Sequence, residues 1–273
     1  KSSCRKIKSS GGRTVTLKVS AIIACCLLTA CAATDDKATV YVEPEKAVEV
    51  ERPLKEKAKT LTELGLAYYK LGRYEYAEDN LKKSLEIDAK NAMTYQVMAL
   101  IYVRRHLPEK AQFYFDKAML LAPTDFNILT DYAVFLLGQQ RKEEALLAFN
   151  KIIKAPFFKN KWVAYYYLGN EDLQKQQPKL AEIKFYQALQ LKADYTPCLL
   201  AMAKIRVSKQ DFMSARGFIE RYLTAAGHTL AGLQQAIKIE QALGDKKMVE
   251  KYELELIRRY PFSQYAETLK RHY

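Results

Sequence analysis

The sequence predicts an all-α fold, a right-handed superhelix (α-solenoid) built from about six stacked helical hairpins, and three observations predict it. Small residues recur at Gly65, Ala99, Ala133, Gly169 and Ala203, at intervals of 34, 34, 36 and 34. An independent series, Ala77, Ala111, Ala145, Ala181, Ala215 and Val249, runs at 34, 34, 36, 34 and 34, with the same two-residue insertion in the same place. Composition agrees: 49% hydrophobic and 27% charged residues, with only 10 Gly and 8 Pro, describe a folded chain with little linker.

The clearest unit is residues 92–125, AMTYQVMALIYVRRHLPEKAQFYFDKAMLLAPTD. Its Ala99, Tyr102, Ala111, Phe115, Ala118 and Pro123 fall on the signature of the tetratricopeptide repeat (TPR), which this unit resembles. Small residues let helices A and B of a hairpin approach closely. Tyr102 and Phe115 fill the groove between adjacent repeats, and Pro123 stops helix B. Units are expected at 58–91, 92–125, 126–159, 162–195, 196–229 and 230–263. The sixth is degenerate, with Ile237 at a small position and Glu253 at a large one, as suits a terminal repeat. Residues 264–273 are expected to add a short polar helix as a C-terminal cap. The insertion falls in APFFKNKW, Ala155–Trp162, where Trp162 is either a partner anchor or a wedge in the kink.

The N-terminus reads differently. Residues 1–18 are basic, Val19–Thr29 is apolar, and the small Ala30 precedes Cys31: the order of a secretory signal over 1–30. The apolar run to Ala33 is shorter than the roughly 20 residues a membrane-spanning helix needs. Leu28-Thr29-Ala30-Cys31 resembles the bacterial lipobox. That resemblance implies cleavage before Cys31, acylation of its thiol (palmitate among the chains) and a membrane anchor. Ala32, rather than Asp, implies sorting to the outer membrane, facing the periplasm. Residues 31–57 are expected to form the lipidated cysteine and a flexible tether. Of the five cysteines, Cys4, Cys25 and Cys26 would leave with the signal, and Cys198 is left as a buried small hydrophobe.

The formal net charge is +13. Six of the 44 Lys and Arg lie in residues 1–30, which hold no acid, so the remainder carries 38 basic against 31 acidic side chains, or +7. Those charges interleave as on solvated helix faces, which argues against a nucleic-acid partner. The three His lack metal-ligand spacing, and there is no glycine-rich phosphate loop or GxSxG. Every residue from 58 on is used by the repeat pattern. The expectation is therefore a non-enzyme without metal or cofactor, acting as a monomer.

In TPR proteins generally, helix A lines the concave face. The groove positions here are Leu66 and Tyr69 in repeat 1, Met93, Leu100 and Val103 in repeat 2, Val134 and Leu137 in repeat 3, and Val163, Tyr166 and Leu173 in repeat 4. So apolar a row fits either a hydrophobic strand or helix of a partner, or packing inside a tight superhelix.

A lipobox followed by six such repeats resembles the type IV pilus biogenesis lipoproteins, the pilotins of the PilF/PilW family. Local runs carry the likeness: AYYKLGRYEYAEDNLKKSLEID, WVAYYYLGNEDL after the bend, AEIKFYQALQLKADYTPCLLAMAKI and the terminal LGDKKMVEKYELELIRRYPFSQYAETL. Asp172 departs from the aromatic or small residue expected at its place. The resemblance implies an outer-membrane binding module that takes up secretin subunits and promotes their localisation and multimerisation. The alternative is a periplasm-facing TPR adaptor for cell-wall hydrolases or outer-membrane protein assembly.

Overall fold

The computed structural model describes residues 44–270, with side chains for residues 53–269. Thirteen helices and no strand occupy the described residues. The A helices are α1 (Pro44–Lys70), α3 (Ala92–Arg104), α5 (Phe126–Gly138), α7 (Trp162–Gln174), α9 (Thr196–Ser208) and α11 (Leu230–Leu243). The B helices are α2 (Tyr74–Ile87), α4 (Pro108–Leu121), α6 (Lys142–Lys154), α8 (Pro178–Leu191), α10 (Phe212–Ala226) and α12 (Lys246–Arg259), and α13 (Gln264–Lys270) closes the stack. Helices α3, α5, α7, α9 and α11 start where their repeats were expected to start.

One boundary is corrected. The tether was expected to run to residue 57, yet residues 44–57 are helical as the first part of α1. Pro44 is the first helical residue, where its missing N–H has no partner to lose. Glu, Lys and Ala then propagate the helix well, and Pro53 lies inside it. The signal and Cys31 lie outside the described residues. The C-terminal cap also differs from a purely polar helix: Ala266 and Leu269 of α13 are buried, so it seals the last hairpin with an apolar face.

Each hairpin closes on its small residues. Ala77, Ala111, Ala145, Ala181 and Ala215 are fully buried, as are Ala99, Ala133 and Ala203. A Cβ on Gly169 would sit 2.6 Å from the ring of Phe185, and one on Gly65 2.7 Å from Leu81 Cγ, so side chains from helix B occupy the space these glycines leave. The core divides into three clusters along the stack, around Phe115, around Phe149 and around Phe185. Each repeat thus packs on its neighbours only, as expected of a solenoid. Asp172, the departure noted above, is buried and paired with Lys184.

The turn from A to B is the same in every repeat. Gly72, His106, Gln140, Gln176, Gln210 and Gly244 all adopt left-handed φ, between 56° and 75°. The next residue's N–H then reaches back to a carbonyl five residues earlier: Arg73 to Tyr68 at 2.9 Å, Leu107 to Tyr102 at 3.0 Å, Asp245 to Glu240 at 3.1 Å. This is the Schellman closure, which satisfies carbonyls a helix end would otherwise leave open.

The insertion after α6 is a loop over residues 155–161. The Phe158 ring packs at a tilt against Phe126, 5.6 Å between centroids, Lys161 donates to the Ile153 carbonyl at 3.1 Å, and Phe157 stands 94% exposed. Trp162 is half-buried against the core of repeats 4–6, with the Lys192 ammonium 5.4 Å above its ring.

Candidate protein-binding groove

Successive A helices touch one another directly, at α1–α3, α3–α5 and α9–α11, and the B helices have no comparable pairing. The A helices therefore crowd together on the inner face of the stack.

The ten expected groove residues all lie on A helices, and all of them are part-exposed. Met93 is the most open, at 40%, and the other nine are half-buried. Leu66, Tyr69, Leu100 and Val103 rest together on the core cluster of repeats 1–3. Val134 and Leu137 rest on the next cluster, and Tyr166 and Leu173 on the third. Val163 is half-buried outside these groups. The row is thus rooted in the core but not consumed by it: each side chain still presents apolar area to solvent.

Clefts open along the row where adjacent A helices part. Between α7 and α9 lies one of about 420 Å³, lined by Tyr166, Asn170, Leu173, Leu200, Lys204 and Ser208 among others. A second, of about 290 Å³, lies beside α5 and α7, and Asn170 lines both. Near the turn ends of repeats 2 and 3, a cleft of about 670 Å³ involves Tyr74, Val103 and Phe135.

Asn170, Leu200 and Lys204 are not among the expected groove residues: Asn170 is a polar residue in the register of repeat 4, and Leu200 and Lys204 follow from the same register in repeat 5. Asp131 was also missed. It is half-buried, accepts from Gln96 Nε2 at 2.6 Å, and burial pushes its carboxyl above the usual range. Glu255 is held down to about 2, first by Arg259 and then by His228. The Cys198 thiol is buried in the core, and desolvation pushes it up to about 12, far from the range of a reactive cysteine.

The family model for the tetratricopeptide repeat matches residues 58–91. Over 206 residues the chain is 27% identical to the type IV pilus assembly protein PilF of Pseudomonas aeruginosa, spanning 75% of this chain and 82% of PilF. Its fold is similar to the solved structure of Pseudomonas aeruginosa PilF, with a TM-score of 0.71 and 24% identity over 81% of this chain and all of that one. It is also similar to PilW, described as a widely conserved type IV pilus biogenesis factor, with a TM-score of 0.65 and 24% identity over 78% of this chain and 97% of PilW. Hairpins of one period, closed on small residues and stacked through apolar clusters, define the class: this is a tetratricopeptide-repeat protein with an all-α superhelical fold. Within that class its sequence is similar, along most of its length, to the type IV pilus assembly protein PilF. TPR proteins of this kind are in general protein-binding adaptors.

Proposed function

We propose that this protein is a lipid-anchored, non-catalytic binding module of type IV pilus biogenesis, held in the outer membrane through Cys31 and facing the periplasm. Its groove takes up subunits of the pilus secretin and promotes their localisation and multimerisation. The observation that carries the reading is the half-exposed apolar row from Leu66 to Leu173, in a chain similar to PilF along most of its length. Hydrophobic side chains that keep solvent-exposed area lose it when a partner binds, and each large one contributes roughly 1.5–3 kcal/mol on full burial. The lipobox-like Leu28–Cys31 supports the location.

Titration of a purified secretin fragment against the protein tests the groove. Leu100→Asp is expected to weaken binding at least tenfold, since roughly 1.4 kcal/mol is a factor of ten. The thermal midpoint should stay close to that of the wild type, because Leu100 is only half-buried. Wild-type affinity in a folded Leu100→Asp variant would place the partner elsewhere. Cys31→Ser tests the anchor: the variant should accumulate as an uncleaved precursor and leave the outer-membrane fraction.

A further inference from the structure

The ninth residue of each A-helix unit forms one row along the groove: Leu66, Leu100, Val134, Asn170, Lys204 and Lys238. The row changes character from end to end. Three half-buried aliphatic side chains are followed by an amide and then by two exposed ammonium groups. Neither the Lys204 nor the Lys238 ammonium forms an ion pair or hydrogen bond with a described residue, and the Asn170 side chain forms no hydrogen bond with one. Several other basic side chains of repeats 4–6 are engaged: Lys184 with Asp172, Arg206 and Lys209 with Glu182, Arg216 with Glu240. The cleft that holds Asn170 and Lys204 has an apolar floor from Leu173 and Leu200 and no acidic residue in its lining. It is a site with one sign of charge and no internal counter-charge.

We propose that the groove binds a partner segment in a fixed direction, with an apolar stretch over repeats 1–3 followed by one or more carboxylates over repeats 5 and 6. This rests on the groove being the docking surface and adds the partner's chemistry and polarity. Apolar area supplies affinity without direction, whereas a carboxylate lies beside the two ammonium groups of the row, Lys204 and Lys238, in one orientation and over the aliphatic Leu66 and Leu100 in the other. The spacing is consistent with a short linear segment. Packed helices lie about 8–10 Å apart, so Leu100 and Lys204 are separated by roughly 25–30 Å, the reach of about eight or nine extended residues.

The test uses labelled peptides that share one apolar half, leucine and valine alternating with serine, and end in three Asp, three Asn or three Lys. Fluorescence anisotropy on the whole protein should rank them Asp above Asn above Lys. The Asp and Lys tails should differ roughly tenfold at low salt, with the difference falling toward unity near 1 M salt. The double variant Lys204→Glu, Lys238→Glu should invert the ranking, a result that general unfolding does not give. Equal affinity for all three tails, no binding of any of them, or a ranking unmoved by the double variant overturns the proposal. Leu100→Asp separates the two levels. If it abolishes binding of every peptide while the tails are equivalent, the groove stands as the docking surface and only the directional inference falls. If it leaves the peptides bound, the groove reading itself is wrong.

Discussion

At the joint between repeats 1 and 2 the buried polar groups are neutral; at the joint between repeats 5 and 6 a charged group is buried. In the first, Thr62, Ser84 and Thr94 from α1, α2 and α3 meet as three buried hydroxyls. Thr62 and Thr94 are 2.6 Å apart, and Ser84 lies 2.8 Å from Thr62 and donates to the Ala58 carbonyl at 2.8 Å. The carboxylate at this joint, Glu78 on the B helix, stays partly open, accepting from Tyr102 at 3.0 Å and from Arg105 at 2.6 Å. Burial opposes its charge, yet the bonds from Lys82, Tyr102 and Arg105 prevail and hold its pKa below the usual value. In the last joint the register-equivalent pair is reversed: the A helix carries Glu240, 1% exposed, and the B helix carries Arg216, whose Nε donates to it at 3.0 Å. The two joints thus satisfy their buried polar groups in two ways, and they differ in what happens when a partner is lost. A neutral hydroxyl left alone costs about 1–3 kcal/mol, and a buried charge more.

The largest expected effect therefore lies in the last joint. Arg216→Ala strands the Glu240 carboxylate and leaves Asp245, 3.2 Å from the Arg216 guanidinium, without that contact. We expect a loss of about 3–5 kcal/mol, read from the urea unfolding midpoint. Replacing both partners, Arg216→Met with Glu240→Leu, should recover most of it, because the desolvated charge is then gone. At the first joint Arg105→Ala should lose no more than about 1 kcal/mol, since Glu78 keeps Lys82 and Tyr102. Equal losses at the two joints would erase the distinction.

Ser84→Ala is expected to come next, at about 1–2 kcal/mol, because the Ala58 carbonyl loses a donor while Thr62 and Thr94 keep each other. Ala111→Leu and Ala215→Leu, one from each half, should each lose about 1–3 kcal/mol by overpacking fully buried positions. That loss should not depend on the half, since the close approach of helices A and B is common to all hairpins.

The backbone plan was legible in the sequence because it depends on spacing alone. The small residues that permit close packing recur at fixed intervals, and helix starts at 92, 126, 162, 196 and 230 follow from them. The early start of α1 was not legible: Pro44 and Pro53 break the apolar periodicity, although a proline at the first helical position is harmless. The joints were not legible either. Thr62, Ser84 and Thr94 lie 22 and 10 residues apart in sequence, and only stacking brings them together. Half of the groove was visible as an apolar row. Its basic half follows the same register but breaks the apolar pattern, so a search for hydrophobic residues passed over Lys204 and Lys238.

The smallest expected effect tests whether the two ends differ in anything but side chains. Gly72 and Gly244 occupy the same left-handed turn at φ 72° and 75°, and a Cβ added at either would meet nothing within 4 Å. The four inner turns carry His106 or glutamine in that conformation, so the fold tolerates a side chain there. Gly72→Ala and Gly244→Ala should each lose about 1 kcal/mol, the backbone cost of a left-handed residue with a Cβ, partly offset by the smaller entropy of the unfolded chain. Gln140→Gly and Gln210→Gly should gain up to about the same amount for the converse reason. Because no side-chain contact is involved, losses at the two ends should match within a few tenths of a kcal/mol. Matched values would assign the contrast between first and last joints to Glu240 and its partner. A much larger loss for Gly244→Ala would mean that the turn ending α11 also sets the position of Glu240, whose carbonyl accepts the Asp245 N–H at 3.1 Å. The last joint would then be specified by backbone and charge together.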